Sequence, residues 1–330
     1  VNLTPQQVEW AEFMQWVTEA GGSVDAVRLA DCGGGLRGLR ATRDLAKGEA
    51  ILKIPRSIIL DVRRAEASPV SGVWRDSPDE FAGYMKIGLA VLFEQRLGAQ
   101  SELLPYLRML PSAADFERDG GPAALWSDDE LAVTECGNLI AFAQRRRRQS
   151  CGSDVVALQP EALAARWIEL ALPGAPPTAD ELSWAVAAVT SRAYGVEGGP
   201  GLVPVVDMAN HDGNYPQHTA KGLEEDGESF AVLATAPIRR NAQVCLTYGN
   251  LPNFNLLPQF GFVLPTLPSP PDAALVDCAA CIESVRRRDG GAARLAELAA
   301  DGMLMREGDG TVSSWQPAGP PLQAALLRLA

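Results

Sequence analysis

Histidine is nearly missing from this chain: 330 residues contain two, His211 and His218. That scarcity removes any histidine-based metal constellation, and no nucleophile elbow exists to build a Ser-His-Asp triad. Cysteine is thin as well, with six thiols at positions 32, 136, 151, 245, 278 and 281. One C-x-x-C pair, Cys278 and Cys281, has no second pair to complete four zinc ligands, so it reads as two small apolar side chains at helical spacing. Scattered thiols fit a reducing intracellular compartment: cytoplasm, nucleus or plastid stroma. No run of about 18 apolar residues exists, so no membrane span is predicted. Positive charge is in deficit, 29 Lys plus Arg against 41 Asp plus Glu, a net charge of −12. Non-specific nucleic-acid binding depends on phosphate neutralisation, which this balance argues against. The sequence lacks an initiator Met and opens with neither a signal nor a transit peptide. A processed or trimmed N-terminus is the expectation.

Apolar residues are plentiful at 47%, enough for a sizeable core. Residues 5–20 carry Val8, Phe13, Trp16 and Val17 at helical spacing, with Thr4 as N-cap before Pro5. Short strands are expected at 24–30, 37–43, 49–55 and 57–60, the second and third separated by a Lys47-Gly48 turn. The middle is helical: 79–99, 127–149, 160–171 and 178–194. Ser127 with Glu130 and Thr178 with Glu181 form capping-box patterns. β character returns at "LVPVVDMA", at 229–238 and at 242–249, with the polar "KGLEEDGES" expected as a loop. Residues 272–304 read as helical again. "RRRR" at 145–148 reads as a solvated, dipole-compatible helix end.

Four stretches carry candidate chemistry. "GGGLRG" (33–38) satisfies G-x-G-x-x-G, but a strand, a turn and another strand follow rather than a helix, which excludes a dinucleotide fold. Its bare backbone amides can still approach a small ligand. "SRAYG" ends a helix with Arg192. "VPVVDMANHDG" (203–213) ends an apolar run in Asp207, Asn210 and His211. "CLTYGNLPNFNLLPQFGFV" (245–263) puts Tyr248 before a glycine, then Phe260 and Phe262 within one short helix and turn, the makings of an apolar wall with a polar tip.

In this order the stretches resemble the SET-domain methyltransferases, in the branch that includes the Rubisco large-subunit lysine methyltransferase and the actin-histidine methyltransferase. The matching residues are "GLRATRDLAKGEAILKIP" (38–55), "PYLRMLP" (105–111), "WAVAAVTSRAY" (184–194), "PVVDMANHDG" (204–213) and "YGNLPNFNLLPQFGF" (248–262). The resemblance implies an α+β fold of short strands with a pseudoknot. A SET domain over 1–265 would have an N-terminal β part (30–62), a helical insertion (63–200) and a C-terminal part (201–265). Residues 266–330 resemble the start of a helical substrate-binding domain, of which the expectation is that this chain carries a truncated part.

By the same resemblance, S-adenosyl-L-methionine lies between the Asn-His strand end and the tyrosine segment. Asn210 and His211 hold it, Gly35, Leu36 and Arg37 supply backbone contacts, and Arg192 meets its carboxylate end. Asp207 lies near the substrate channel, alongside Arg192. Tyr248 matches the catalytic tyrosine, in contact with cofactor and substrate, and Phe260 and Phe262 wall the channel. Many lysine-modifying relatives have Tyr at the position of Phe260; the missing hydroxyl leaves room for further methyl groups. The expected partner is a protein or peptide carrying a lysine, or alternatively a histidine, with the chain a monomer and neither nucleic acid nor membrane involved. A catalytically silent binding module is the competing class, and a dinucleotide-dependent oxidoreductase a distant third.

Overall fold

The computed structural model describes residues 4–33, 35–150, 159–212, 219–224, 227–249 and 251–264, with positions 287, 290 and 293. The chain divides into two compact units, residues 1–273 and 274–330, and every element named below belongs to the first. The helix expected over 272–304, the helical domain expected over 266–330 and the Cys278–Cys281 pair lie outside the described residues.

Helix α1 (Pro5–Glu19) starts where the capping signal places it. The Thr4 hydroxyl accepts from the Gln7 N–H at 3.2 Å, and Gln7 Oε1 accepts from the Thr4 N–H at 2.9 Å. Strands β1 (Val27–Asp31), β2 (Arg37–Ala41) and β3 (Ala50–Pro55) follow; of residues 57–60, only Leu60 enters a strand, β4 (Leu60–Asp61). Helices α2 (Val62–Ala67), α3 (Gly83–Leu97), α4 (Leu104–Leu107), α5 (Ala113–Asp119), α6 (Asp128–Val133), α7 (Gly137–Ser150), α8 (Pro160–Glu169) and α9 (Ala179–Thr190) fill the middle. The single helix expected over 127–149 is two. Its Ser127–Glu130 capping box is present, but Glu135 turns to a φ of +49° and breaks it. At the arginine run, Arg145 and Arg146 lie over the Phe142 ring and Arg147 Nε donates to the Ala124 carbonyl at 3.0 Å.

Strands β5 (Tyr194–Val196), β6 (Gly199–Leu202), β7 (Thr219–Leu223), β8 (Ser229–Ala234) and β9 (Gln243–Val244) complete three antiparallel sheets, and α10 (Asn253–Phe260) follows. Their orders are β1-β2-β9, β3-β8-β7 and β4-β6-β5. Each sheet joins one or two strands from before residue 62 to one or two from beyond residue 193, with Leu39 facing both Leu29 and Val244. Chain ends far apart in sequence are thereby drawn to one place.

Two further expectations fail for physical reasons. "LVPVVDMA" is not one strand: after β6 the chain turns at Val205, φ +67°, into a single 3₁₀ turn at Val206–Met208. Val203, Val205 and Val206 are all fully buried, and a continuously apolar run does not distinguish a strand from any other buried segment. "KGLEEDGES" is not all loop, because Lys221 to Leu223 belong to β7 and pair with β8. An edge strand carries the polar composition that reads as a loop.

One main core packs α1, the sheets, α2, α3, α4, α8 and α9 together, with Phe13 stacked on Tyr106 at 6.3 Å between ring centroids. Phe13 is 1% exposed, so Phe13→Ala is expected to cost about 3–5 kcal/mol, read as a lowered midpoint in urea unfolding. A loss under about 1 kcal/mol contradicts this packing.

Candidate functional site

The site forms where residues 209–212 meet residues 246–248. The two segments run in parallel, bridged at His211 and Leu246. The Leu246 N–H donates to the Asn210 carbonyl at 2.9 Å, and the Asp212 N–H to the Leu246 carbonyl at 3.1 Å. Two further bonds fix Tyr248. Its N–H donates to His211 Nδ1 at 3.1 Å, and its hydroxyl to the Ala209 carbonyl at 2.9 Å. Accepting at Nδ1 makes the imidazole neutral, with its proton on Nε2, and burial lowers the His211 pKa in agreement. Burial also pushes the Tyr248 phenol up to about 12, so it keeps its proton throughout the physiological range.

The β1–β2 turn reaches this junction. Asn210 Nδ2 donates to the Arg37 carbonyl at 3.1 Å. Gly38 permits that approach, since a Cβ there would lie 2.5 Å from Asn210 Nδ2 and 2.7 Å from Cys32 Sγ. Gly35 takes a φ of +83° in the turn, and Leu36 is 56% exposed, its N–H donating to the Gly33 carbonyl at 3.1 Å and its carbonyl accepting from the Cys32 N–H at 2.7 Å. A cavity of about 370 Å³ opens beside the pairing, lined by Asp212, Arg239, Gln243, Cys245 and Leu246 among others.

Behind the tyrosine is a buried charged cluster. Arg192 Nη1 donates to the Asp207 carbonyl at 3.0 Å and lies 3.5 Å from Asp207 Oδ2; the Tyr106 hydroxyl donates to the same oxygen at 2.9 Å. Asp207 Oδ1 is buried and has no partner among the described residues. Burial raises the Asp207 pKa, against the opposing pull of Arg192. Arg37 Nη2 donates to the Met109 carbonyl at 2.9 Å, and burial followed by the nearby Arg192 charge lowers its pKa to about 10. Arg192 thus pairs with the carboxylate, while Arg37 is held at the Met109 carbonyl nearby and one carboxylate oxygen stays an unmet acceptor.

On the other side lie the aromatics. The Tyr248 ring stacks on His211 at 5.1 Å and meets Phe260 at 4.9 Å; Phe262 lies 6.0 Å from His211 and 6.1 Å from Phe260. The rings form a continuous group at distances typical of aromatic pairs. Gly261 holds the two phenylalanines apart, in the left-handed region with φ +83°.

Of the residues singled out from the sequence, Arg37, Asn210, His211, Tyr248, Phe260 and Phe262 are linked by hydrogen bonds or ring contacts at this junction. Asp207, however, is tied to Tyr106 and Arg192 inside the cluster rather than standing alone. Three residues were missed: Tyr106, Tyr194 and Lys221. Tyr106 lies within "PYLRMLP", yet its bond to Asp207 spans 101 positions. Lys221 Nζ sits over the Tyr194 ring at 4.6 Å, on a strand whose composition suggested a loop. Among the described residues no group of His, Cys, Asp and Glu could hold a metal, and no helix is long and apolar enough to cross a membrane.

Small sheets closed by a parallel crossing of two C-terminal segments, over an aromatic group and a buried Arg-Asp cluster, define the class. The SET-domain family model matches residues 36–249, and the chain belongs to that family. It is 26% identical over 266 residues to the actin-histidine N-methyltransferase of Danio rerio, a match covering 77% of this chain and 42% of that protein. It is 25% identical over 311 residues to Protein SET DOMAIN GROUP 40 of Arabidopsis thaliana, covering 80% and 60%. Among solved structures, the SET domain of LSMT bound to lysine and AdoHcy superposes with a TM-score of 0.65 at 20% identity, over 80% of this chain and 59% of that one. Rubisco LSMT bound to AdoMet gives 0.63 at 21%, over 80% and 57%. The chain spans less than half the length of the actin-histidine enzymes it matches.

Gly261 provides a local test of the site's construction. A Cβ there would overlap the Gly120 carbonyl oxygen, and the left-handed backbone adds about 1–2 kcal/mol of strain for any other residue. Gly261→Ala is expected to shift the Phe260–Phe262 turn and lower the melting temperature. An unchanged melting temperature and near-UV circular dichroism spectrum contradict this contact.

Proposed function

We propose that this chain is an S-adenosyl-L-methionine-dependent protein-lysine N-methyltransferase acting on a non-histone protein. The observation that carries the reading is the joining of Asn210 and His211 to Tyr248, between a buried Arg-Asp cluster and a group of aromatic rings. The residues present fit the cofactor. Arg192 and Arg37 offer cations for its carboxylate, the unpartnered Asp207 Oδ1 an acceptor for its ammonium, and the Gly35–Arg37 turn and Asn210 polar groups for the remainder. When bound, it supplies an electrophilic methyl on a positively charged sulfur.

The chain's own residues then have defined tasks. An acceptor lysine must lose a proton, which at pH 7 costs roughly 4–5 kcal/mol for an ordinary amine with a pKa near 10.4. An apolar channel walled by Phe260 and Phe262 reduces that cost by disfavouring the ammonium. Aromatic faces also suit methylammonium products. Tyr248 acts as an orienting hydroxyl, not a base, since its phenol stays protonated below about 12. Holding amine and methyl at attack distance supplies much of the rate.

Methyl-label transfer into a fractionated cell extract is the test. Wild type is expected to label a protein band, and Tyr248→Phe to lose about 100-fold or more of the rate. Cofactor binding without transfer to any fraction contradicts the reading and favours a binding module. The rate is expected to rise from pH 7 to 9 as the acceptor amine deprotonates, with no limb from Tyr248; a fall over that interval contradicts the assignment. Phe260 leaves room beside the amine, so wild type is expected to yield di- or trimethylated product and Phe260→Tyr mainly monomethylated product. Monomethylation alone by wild type at saturation, read by mass spectrometry, overturns this.

A second reading, transfer to histidine, is favoured by the relatives named actin-histidine N-methyltransferase. Matched peptides with lysine or histidine acceptors separate the two.

A further inference from the structure

The chain contains four lysines, Lys47, Lys53, Lys86 and Lys221, and one stands apart chemically. Lys53 pairs with Glu224 at 2.5 Å and Lys86 with Glu66 at 3.0 Å, while Lys47 is exposed in a turn. Lys221 is half-buried on β7 and has no carboxylate partner among the described residues. Its ammonium lies 4.6 Å from the centre of the Tyr194 ring and donates to the Thr247 carbonyl, one residue before Tyr248. Its charge is felt by His211, the ring stacked on Tyr248. An aromatic face with a backbone carbonyl, and no acid, is how a site that accepts an amine holds its guest.

We propose that Lys221 is an intramolecular methyl acceptor, so that the chain methylates itself at this position. Self-methylation rests on the transfer chemistry proposed above. The amine is unusually available: burial lowers the Lys221 pKa to about 8. About a tenth of it is then neutral at pH 7, against well under a thousandth for an ordinary lysine. Four rotatable bonds let Nζ leave the Thr247 carbonyl and swing along the Tyr194 face toward Tyr248. In the step, the neutral Nζ lone pair forms the N–CH₃ bond as the S–CH₃ bond breaks. The bonding pair stays on sulfur, giving S-adenosylhomocysteine; the one proton released is the one the ammonium gave to water before the attack, so the product is a methylammonium. Once methylated, Lys221 keeps its charge but loses donors to the Thr247 carbonyl, which alters the wall beside the acceptor path.

The test is to incubate the purified chain alone with methyl-labelled S-adenosylmethionine and to map the label by mass spectrometry, for wild type and Lys221→Arg. Fractionated extract is run in parallel. Label is expected at Lys221 and absent from Lys221→Arg, at a rate per molecule independent of protein concentration. Cofactor binding by the variant checks its fold, and the wild-type map stands without it. Label on extract proteins but none at Lys221 overturns self-methylation and leaves the transferase intact. A rate per molecule that rises with protein concentration overturns the intramolecular step. Bound cofactor with no label on either overturns both.

Discussion

The parallel docking of residues 210–212 against Leu246 is the constraint on which the site depends. Among the described residues two main-chain hydrogen bonds span it, together worth a few kcal/mol at most. They fix which groups face each other across the join. With Leu246 held by Asn210 and Asp212, Tyr248 falls beside His211, and its two ends are bonded to Ala209 and to the imidazole. Asn210 is thereby also set to bond the Arg37 carbonyl in the β1–β2 turn. The three parts of the site come from residues near 37, 210 and 248, joined by these bonds.

The helical middle of the chain acts on the site at three points. Tyr106 bonds Asp207, Met109 accepts from Arg37, and the Gly120 carbonyl lies against Gly261. These contacts set a buried carboxylate, a half-buried guanidinium and the turn between two phenylalanines. A second small core of Ala123, Leu131, Leu139 and Ala143, with Leu257 of α10 packed on it, keeps the last of these in place. The insertion is therefore part of how the aromatic wall and the charged cluster are positioned, which is why a site of small strands needs so much helix.

Local signals were legible where local chemistry decides. The Thr4, Ser127 and Thr178 caps start their helices as the residue types dictate, and the strand after "GGGLRG" removes the dinucleotide reading. Family resemblance pointed to the site residues, and the structure puts Asn210, His211, Tyr248, Phe260 and Phe262 in one connected group. What stayed hidden depends on distant partners. Nothing in "VPVVDM" announces that Val205 turns left-handed, because burial of every valine masks the period of the backbone. Tyr106 and Asp207 cannot be matched across 101 positions without the fold. Lys221 was masked by the acidic, glycine-bearing stretch around it, whose polarity belongs to an edge strand.

Amide hydrogen exchange with and without S-adenosylhomocysteine measures the central claim, that three separate segments enclose one ligand. Joint protection is predicted at the main-chain N–H groups of 35–38, 210–212 and 246–248, with Asn210→Ala weakening all three together. Protection limited to one segment, or confined to the cavity wall at Ile238–Gln243, contradicts the account.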